Sequence, residues 1–176
     1  MSKKNSKDII VECSRDLPLF ADGRIDYSDA KVAPVVNVLV SYGDEILLLK
    51  RSWEVSTNRN MWDCIGGYLD EVVEPEEKAF KELSEETGIC RKDIDTYTVG
   101  DPFNIFTKSP NKIRWIVFPV LVSLKSKPKI ILDSEHQKFR WIKRSRIRGF
   151  SQAKKIRDIL FSCTIAGKGE KGGYDI

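Results

Sequence analysis

The chain has 176 residues, 41% of them hydrophobic and 32% charged, a balance that fits one globular domain and excludes a disordered chain. No apolar run approaches the ~18 residues of a membrane span, and the N-terminal segment lacks the apolar stretch and cleavage site of a secretory signal, so a cytoplasmic location is expected. A net charge of +4, from 30 basic and 26 acidic residues, is too mild to imply nucleic acid by itself.

Cys13, Cys64, Cys90 and Cys163 contain no CxxC pair, which leaves no zinc or thioredoxin-like spacing and predicts reduced, mostly buried thiols. His136 is the only histidine, so a multi-histidine metal centre is excluded and any metal is expected on oxygen ligands.

In chain order, residues 1–31 read as an N-terminal extension, with weak strand-like runs (IIVEC, LPLF) punctuated by Pro18 and Gly23. The segment VAPVVNVLVSYGDEILLLKRS predicts two β-branched-rich strands joined by a tight turn at Tyr42-Gly43-Asp44-Glu45. SWEVSTNRNMWD predicts a long surface loop, and CIGGYLD a return to extended chain. A helix is expected over Pro75–Thr87: Pro75 suits its first position, Glu76 and Glu77 complement its positive end, and Gly88 suits the left-handed residue past its last turn. TYTVG, FNIF, WIVFPVLVSL, KIIL and FRWIK read as strands, WIVFPVLVSL as a central one, and SQAKKIRDILFS as a helix with Ala153, Ile156, Ile159 and Leu160 on one side. The domain is expected to span 32–161, and the Gly- and Lys-rich residues 162–176 to form a flexible tail.

The helix carries the chemistry. Glu82, Glu85 and Glu86 stand at i, i+3 and i+4, which gathers three carboxylates within one turn. Like charges so close call for a neutralising partner, and Mg²⁺ suits them because it takes oxygen ligands and completes its shell with water and phosphate oxygens. Ala79 and Leu83 give the helix an opposite, dry face. Gly66-Gly67, just upstream, lets backbone approach a ligand closely.

Residues 67–89, GYLDEVVEPEEKAFKELSEETGI, resemble the Nudix box, GX5EX7REUXEEXGU, the signature of the Nudix hydrolases. The two preceding strands, the WEVSTNRNMW loop and EHQKFRWIK extend the likeness over most of 32–161. The resemblance implies an α/β/α sandwich with a mixed β-sheet. It also implies Mg²⁺- or Mn²⁺-dependent hydrolysis of a nucleoside diphosphate linked to another moiety. Glu82, Glu85 and Glu86 match the family's metal-binding glutamates, with Glu82 and Glu85 also candidates for orienting the attacking water. Gly67, Leu83, Gly88 and Ile89 match its structural positions. Val73 stands where the family has its first glutamate, and Lys81 where it has arginine. Both changes fall on one supporting salt bridge, for which Glu74 is a neighbouring substitute. Lysine lacks the bidentate contact of arginine.

Glu135 resembles a late acidic position that binds the base or assists catalysis in some members. Lys50, Arg51 and Arg59 are candidate phosphate contacts, and Trp53 is the aromatic residue favoured for stacking on a base. Trp62, Phe103 and Phe106 read equally as core, and His136 as a hydrogen-bonding bystander. Three other readings stand beside the hydrolase: a Nudix-fold module that binds nucleotide without cleaving it; an isopentenyl-diphosphate isomerase using Cys64, for which no second motif is present; and an enzyme acting on RNA 5′ ends through the basic KRSRIRG segment, which reads first as a solvated helix face. The substrate class and a homodimer stay open.

Overall fold

The computed structural model of the protein describes residues 5–106 and 113–167. Eight strands among them form one mixed sheet, with β1 (Val32–Tyr42) and β7 (Arg114–Leu124) side by side and parallel at its centre. β2 (Glu45–Arg51) turns back antiparallel on the end of β1 through Gly43, whose φ of 58° favours a residue without a Cβ. β3 (Trp62–Asp63) and β8 (His136–Lys143) flank β2, β4 (Ile65–Tyr68) pairs with the first half of β1, and β5 (Ile94–Val99) and β6 (Phe103–Phe106) pair with β7.

Near-continuous apolar strands are what a sheet covered on both faces requires. Val36, Val38 and Val40 of β1 enter one core with Ala79 and Leu83 of α2 (Pro75–Thr87), while Leu39 enters a second with Ile156 and Ile159 of α3 (Ala153–Ala166). The predicted sandwich is thus the observed one. α2 has the expected bounds: Pro75 opens it, and Gly88 closes it at φ 71° with its N–H donated to the Ser84 carbonyl. No helix among the described residues is long and apolar enough to cross a membrane.

Three expected strand-like runs are not strands. IIVEC lies in α1 (Ser6–Ser14), where the Asn5 side chain caps the first turn by accepting from Asp8 N–H at 2.8 Å. The helix buries Ile10 completely against the α2-side core, a gain of burial that outweighs the strand preference of its β-branched run. LPLF keeps a single antiparallel bridge, Leu19 to Ile25. KIIL has the alternation of a strand, with Ile130 and Leu132 packed on the core and Ile131 outward, but its backbone binds a helix end instead: Ile131 N–H donates to the Thr87 carbonyl at 2.9 Å. Most of the tail falls outside the described residues.

Candidate active site

Gly67 of β4 lies against α2 so closely that any side chain there would run into the Glu82 carboxylate, and one at Gly66 would meet Val36 and Asn37. The glycine pair therefore makes room first for the chain itself. The three carboxylates of α2 divide: Glu85 is exposed, Glu82 is largely covered, and Glu86 is buried.

Glu86 Oε1 accepts from the Gly66 N–H at 3.3 Å, while Oε2 has no hydrogen-bond partner. Burial above all, and then the Glu82 charge, pushes the Glu86 carboxyl up to about 9, against the smaller opposing pull of the Gly66 N–H. Facing Oε2 at 3.6 Å is His136 Nε2, also buried and also without a hydrogen bond, on a ring whose Nδ1 lies 2.8 Å from Asp133 Oδ1. His136 is thus part of the site, at the first residue of β8. Sequence reasoning set it aside as a bystander, although its place beside Glu135 in the EHQKFRWIK segment was a signal.

Glu82 is raised as well, by burial first, with the Lys78 charge opposing. Lys78 is nine-tenths buried and places its ammonium between Asp70 Oδ1 at 2.8 Å and Glu82 Oε1 at 3.0 Å. Burial alone would lower the Lys78 amine; its bonds to the two carboxylates outweigh that and hold it above its ordinary value.

The rim comes from β2, β8 and the loop after β2. Ser52 N–H donates to the Glu135 carbonyl at 2.7 Å, and Gln137 Nε2 donates to the Arg51 carbonyl at 2.9 Å and to Asn60 Oδ1 at 3.0 Å. Asn58 and Asn60 bend this loop at positive φ, which asparagine tolerates. These ties bring Arg51 Nη2 to 3.6 Å from Glu135 Oε2, at the flank of the site. Trp53 is exposed on the same loop, and Arg59 donates back to the loop's own Val55 carbonyl, away from the carboxylates. Trp62 packs against Phe150, Phe103 packs on the α3-side core, and Phe106 is exposed. Lys155 points inward from α3 to Asp63.

Burial and an orphaned oxygen make Glu86, with Glu82 beside it, a carboxylate pair that suits a divalent cation. Among the described residues no three His, Cys, Asp or Glu side chains form a ready-made cage. That is compatible with Mg²⁺, which habitually takes one or two carboxylates and fills its shell with water and phosphate oxygens.

The sequence model of the NUDIX domain matches residues 31–161. The chain belongs to the NUDIX family. Solved structures of the same fold include an Ap4A hydrolase from C. elegans, 18% identical, with a TM-score of 0.59 over 78% of this chain and 99% of that one. The MutT protein of Methanosarcina mazei is 24% identical, with a TM-score of 0.58 over 78% and 96%. The NUDIX domain of NrtR from Shewanella oneidensis, determined in complex with ADP ribose, is 13% identical, with a TM-score of 0.59 over 73% and 86%. No curated protein sequence matches the chain.

Against the Nudix box, the two departures have a structural counterpart. Val73 packs on the core, and Lys81 reaches Glu71 at 3.3 Å across an exposed surface. Glu74 does not stand in for the missing glutamate; it accepts from Ser6 Oγ at 2.6 Å and pairs with Lys7 of α1. The buried cation that reaches a box glutamate is Lys78, which stands inside the box at a variable position.

Proposed function

We propose that this protein is a Nudix hydrolase that uses a divalent cation, Mg²⁺ or Mn²⁺, to cleave a phosphoanhydride bond in a nucleoside diphosphate linked to another moiety. The observation that carries this reading is the buried, partnerless Glu86 Oε2 on the box helix, beside Glu82. Glu82, Glu85 and Glu86 would hold the ion. When bound, it supplies charge neutralisation on the diphosphate and a water of lowered pKa.

This chain's own groups do the rest. Lys78 fixes Glu82 from the protein side and Gly66 N–H fixes Glu86, so the carboxylates are oriented before substrate arrives. Glu82 or Glu85 orients the attacking water, whose oxygen bonds to phosphorus as the bridging P–O bond breaks. Glu135 and Arg51, 3.6 Å apart, would meet a substrate entering over β2, Arg51 as a phosphate donor. Gly67 keeps the floor of the site low, and Trp53 and Arg59 lie on the loop that would meet the far end of the substrate. ADP-ribose and Ap4A, named with the neighbouring structures, head the substrate panel.

A second reading, a nucleotide-binding module without turnover, draws support from the altered box at Val73 and Lys81. The deciding experiment is product release from the panel with Mg²⁺ and with Mn²⁺, comparing wild type with Glu85→Gln. Hydrolysis by wild type with a loss in the variant beyond the ~10–100-fold typical of an outer-shell partner is the expected result. Nucleotide binding with no turnover on any substrate would overturn the enzyme reading in favour of the module.

A further inference from the structure

Two buried atoms, Glu86 Oε2 and His136 Nε2, face each other at 3.6 Å and neither has a hydrogen-bond partner. They come from distant parts of the chain, the box helix α2 and the start of β8. Both are closed off from solvent, so bulk water does not satisfy them, and a buried polar atom without a partner costs about 1–3 kcal/mol. Something of positive character belongs between them.

The ring's other nitrogen decides what kind. Asp133 Oδ1 lies 2.8 Å from Nδ1, and a carboxylate offers only acceptors, so Nδ1 carries the hydrogen. In the neutral imidazole this leaves Nε2 a bare lone pair aimed at a carboxylate oxygen. A carboxylate that fixes one imidazole nitrogen while the other faces a ligand position is the usual support of a metal-bound histidine. Metal–ligand bonds of about 2.0–2.1 Å hold neighbouring ligands roughly 2.8–3.0 Å apart on an octahedral ion and roughly 3.3–3.4 Å apart on a tetrahedral one, so an ion drawn in between the two atoms closes their 3.6 Å separation by a few tenths of an ångström.

We infer that His136 Nε2 is a nitrogen ligand of the divalent ion that Glu86 binds, with Asp133 as its positioning residue. The inference rests on the metal-dependent reading above. A mixed nitrogen and oxygen site shifts preference away from Mg²⁺ and toward borderline first-row ions such as Fe²⁺, Co²⁺ and Zn²⁺, with Mn²⁺ serving as the paramagnetic probe. It also joins β8 to α2 through the ion, so that Glu135, next in sequence and facing Arg51, is set by the same ion on the substrate side.

The test is pulsed electron paramagnetic resonance on the Mn²⁺-loaded, untagged protein. Because the chain has a single histidine, ¹⁵N-histidine labelling reports on His136 alone. Directly coordinated ¹⁴N modulation that converts to ¹⁵N on labelling is expected, and His136→Leu should abolish it and weaken Mn²⁺ binding by at least about tenfold. If Mn²⁺ binds and Glu85→Gln weakens it, yet no histidine nitrogen couples, His136 is not a ligand: the gap holds a proton, and the metal-dependent hydrolase reading stands. If Mn²⁺ does not bind at millimolar concentration, both fail. The labelled wild type gives its answer even if His136→Leu does not fold.

Discussion

Replacing Lys78 by methionine would remove the ammonium while keeping most of the apolar stem, so charge is lost without a large cavity. The ammonium sits between Asp70 and Glu82, whose side chains are only 9% and 14% exposed. Removing one partner from a buried ion pair costs about 3–5 kcal/mol, since the other charge is left unpaired. Asp70 keeps Arg24 Nη1 at 3.1 Å, so Glu82 alone is stranded and the lower end, about 3 kcal/mol, is expected. At the 2–4 °C per kcal/mol typical of a chain this size, Lys78→Met should melt roughly 6–12 °C below wild type in metal-free buffer, measured by calorimetry. Saturating Mn²⁺ should return part of the loss, because an ion on Glu82 replaces the missing charge. Lys81→Met, which breaks only the exposed pair with Glu71, should stay within about 0.5 kcal/mol of wild type. A Lys78→Met melting drop no larger than that of Lys81→Met would refute the view that this ammonium holds Glu82.

Gly67→Ala drives a methyl group into the Glu82 carboxylate, so Mn²⁺ affinity should fall about tenfold or more with far-ultraviolet circular dichroism unchanged; unaltered affinity would mean that Glu82 is not a ligand. Gly88→Ala puts a Cβ at φ 71° and 3.3 Å from Ile131 Cβ, which should cost about 1–2 kcal/mol, read as a lower urea midpoint at constant slope. Burial pushes the Cys64 thiol from 9.0 up to about 12. At pH 8 a thiol reagent should therefore label exposed Cys90 quickly, and Cys64 only after denaturant is added. Between pH 9 and 12 the unfolded thiol ionises while the native one stays protonated, so this group's contribution to stability is intact below 9 and lost as pH rises through that window. Rapid labelling of Cys64 in the native state at pH 8 would contradict its burial.

The helix Pro75–Thr87 was legible to the residue because its signals are local: a proline, two acids and a glycine act on the backbone within one turn of where they stand. The hairpin through Gly43 and the strands β5, β6 and β7 were legible for the same reason. The box carboxylates were legible through their spacing and their likeness to a known motif. How the three divide between solvent and interior was not, because helical spacing places them on neighbouring azimuths while depth depends on what packs above them.

α1 shows the limit on the fold side, where a β-branched run became a helix because the core offered Ile10 a site. KIIL shows it again, its backbone claimed by the end of α2. In the site, nothing in the local sequence marks Lys78, and His136 reads as a lone histidine. Their partners Asp70, Glu86 and Asp133 are brought to them by packing of α2 on β4 and by β8 pairing with β2. The sequence by itself determined where α2 starts and stops, the two-faced apolar pattern of the sheet, and the spacing of the three box carboxylates. Only the tertiary structure decided which of those charges are stripped of water, and so which need a partner, because desolvation is set by everything packed around a group and not by its neighbours along the chain.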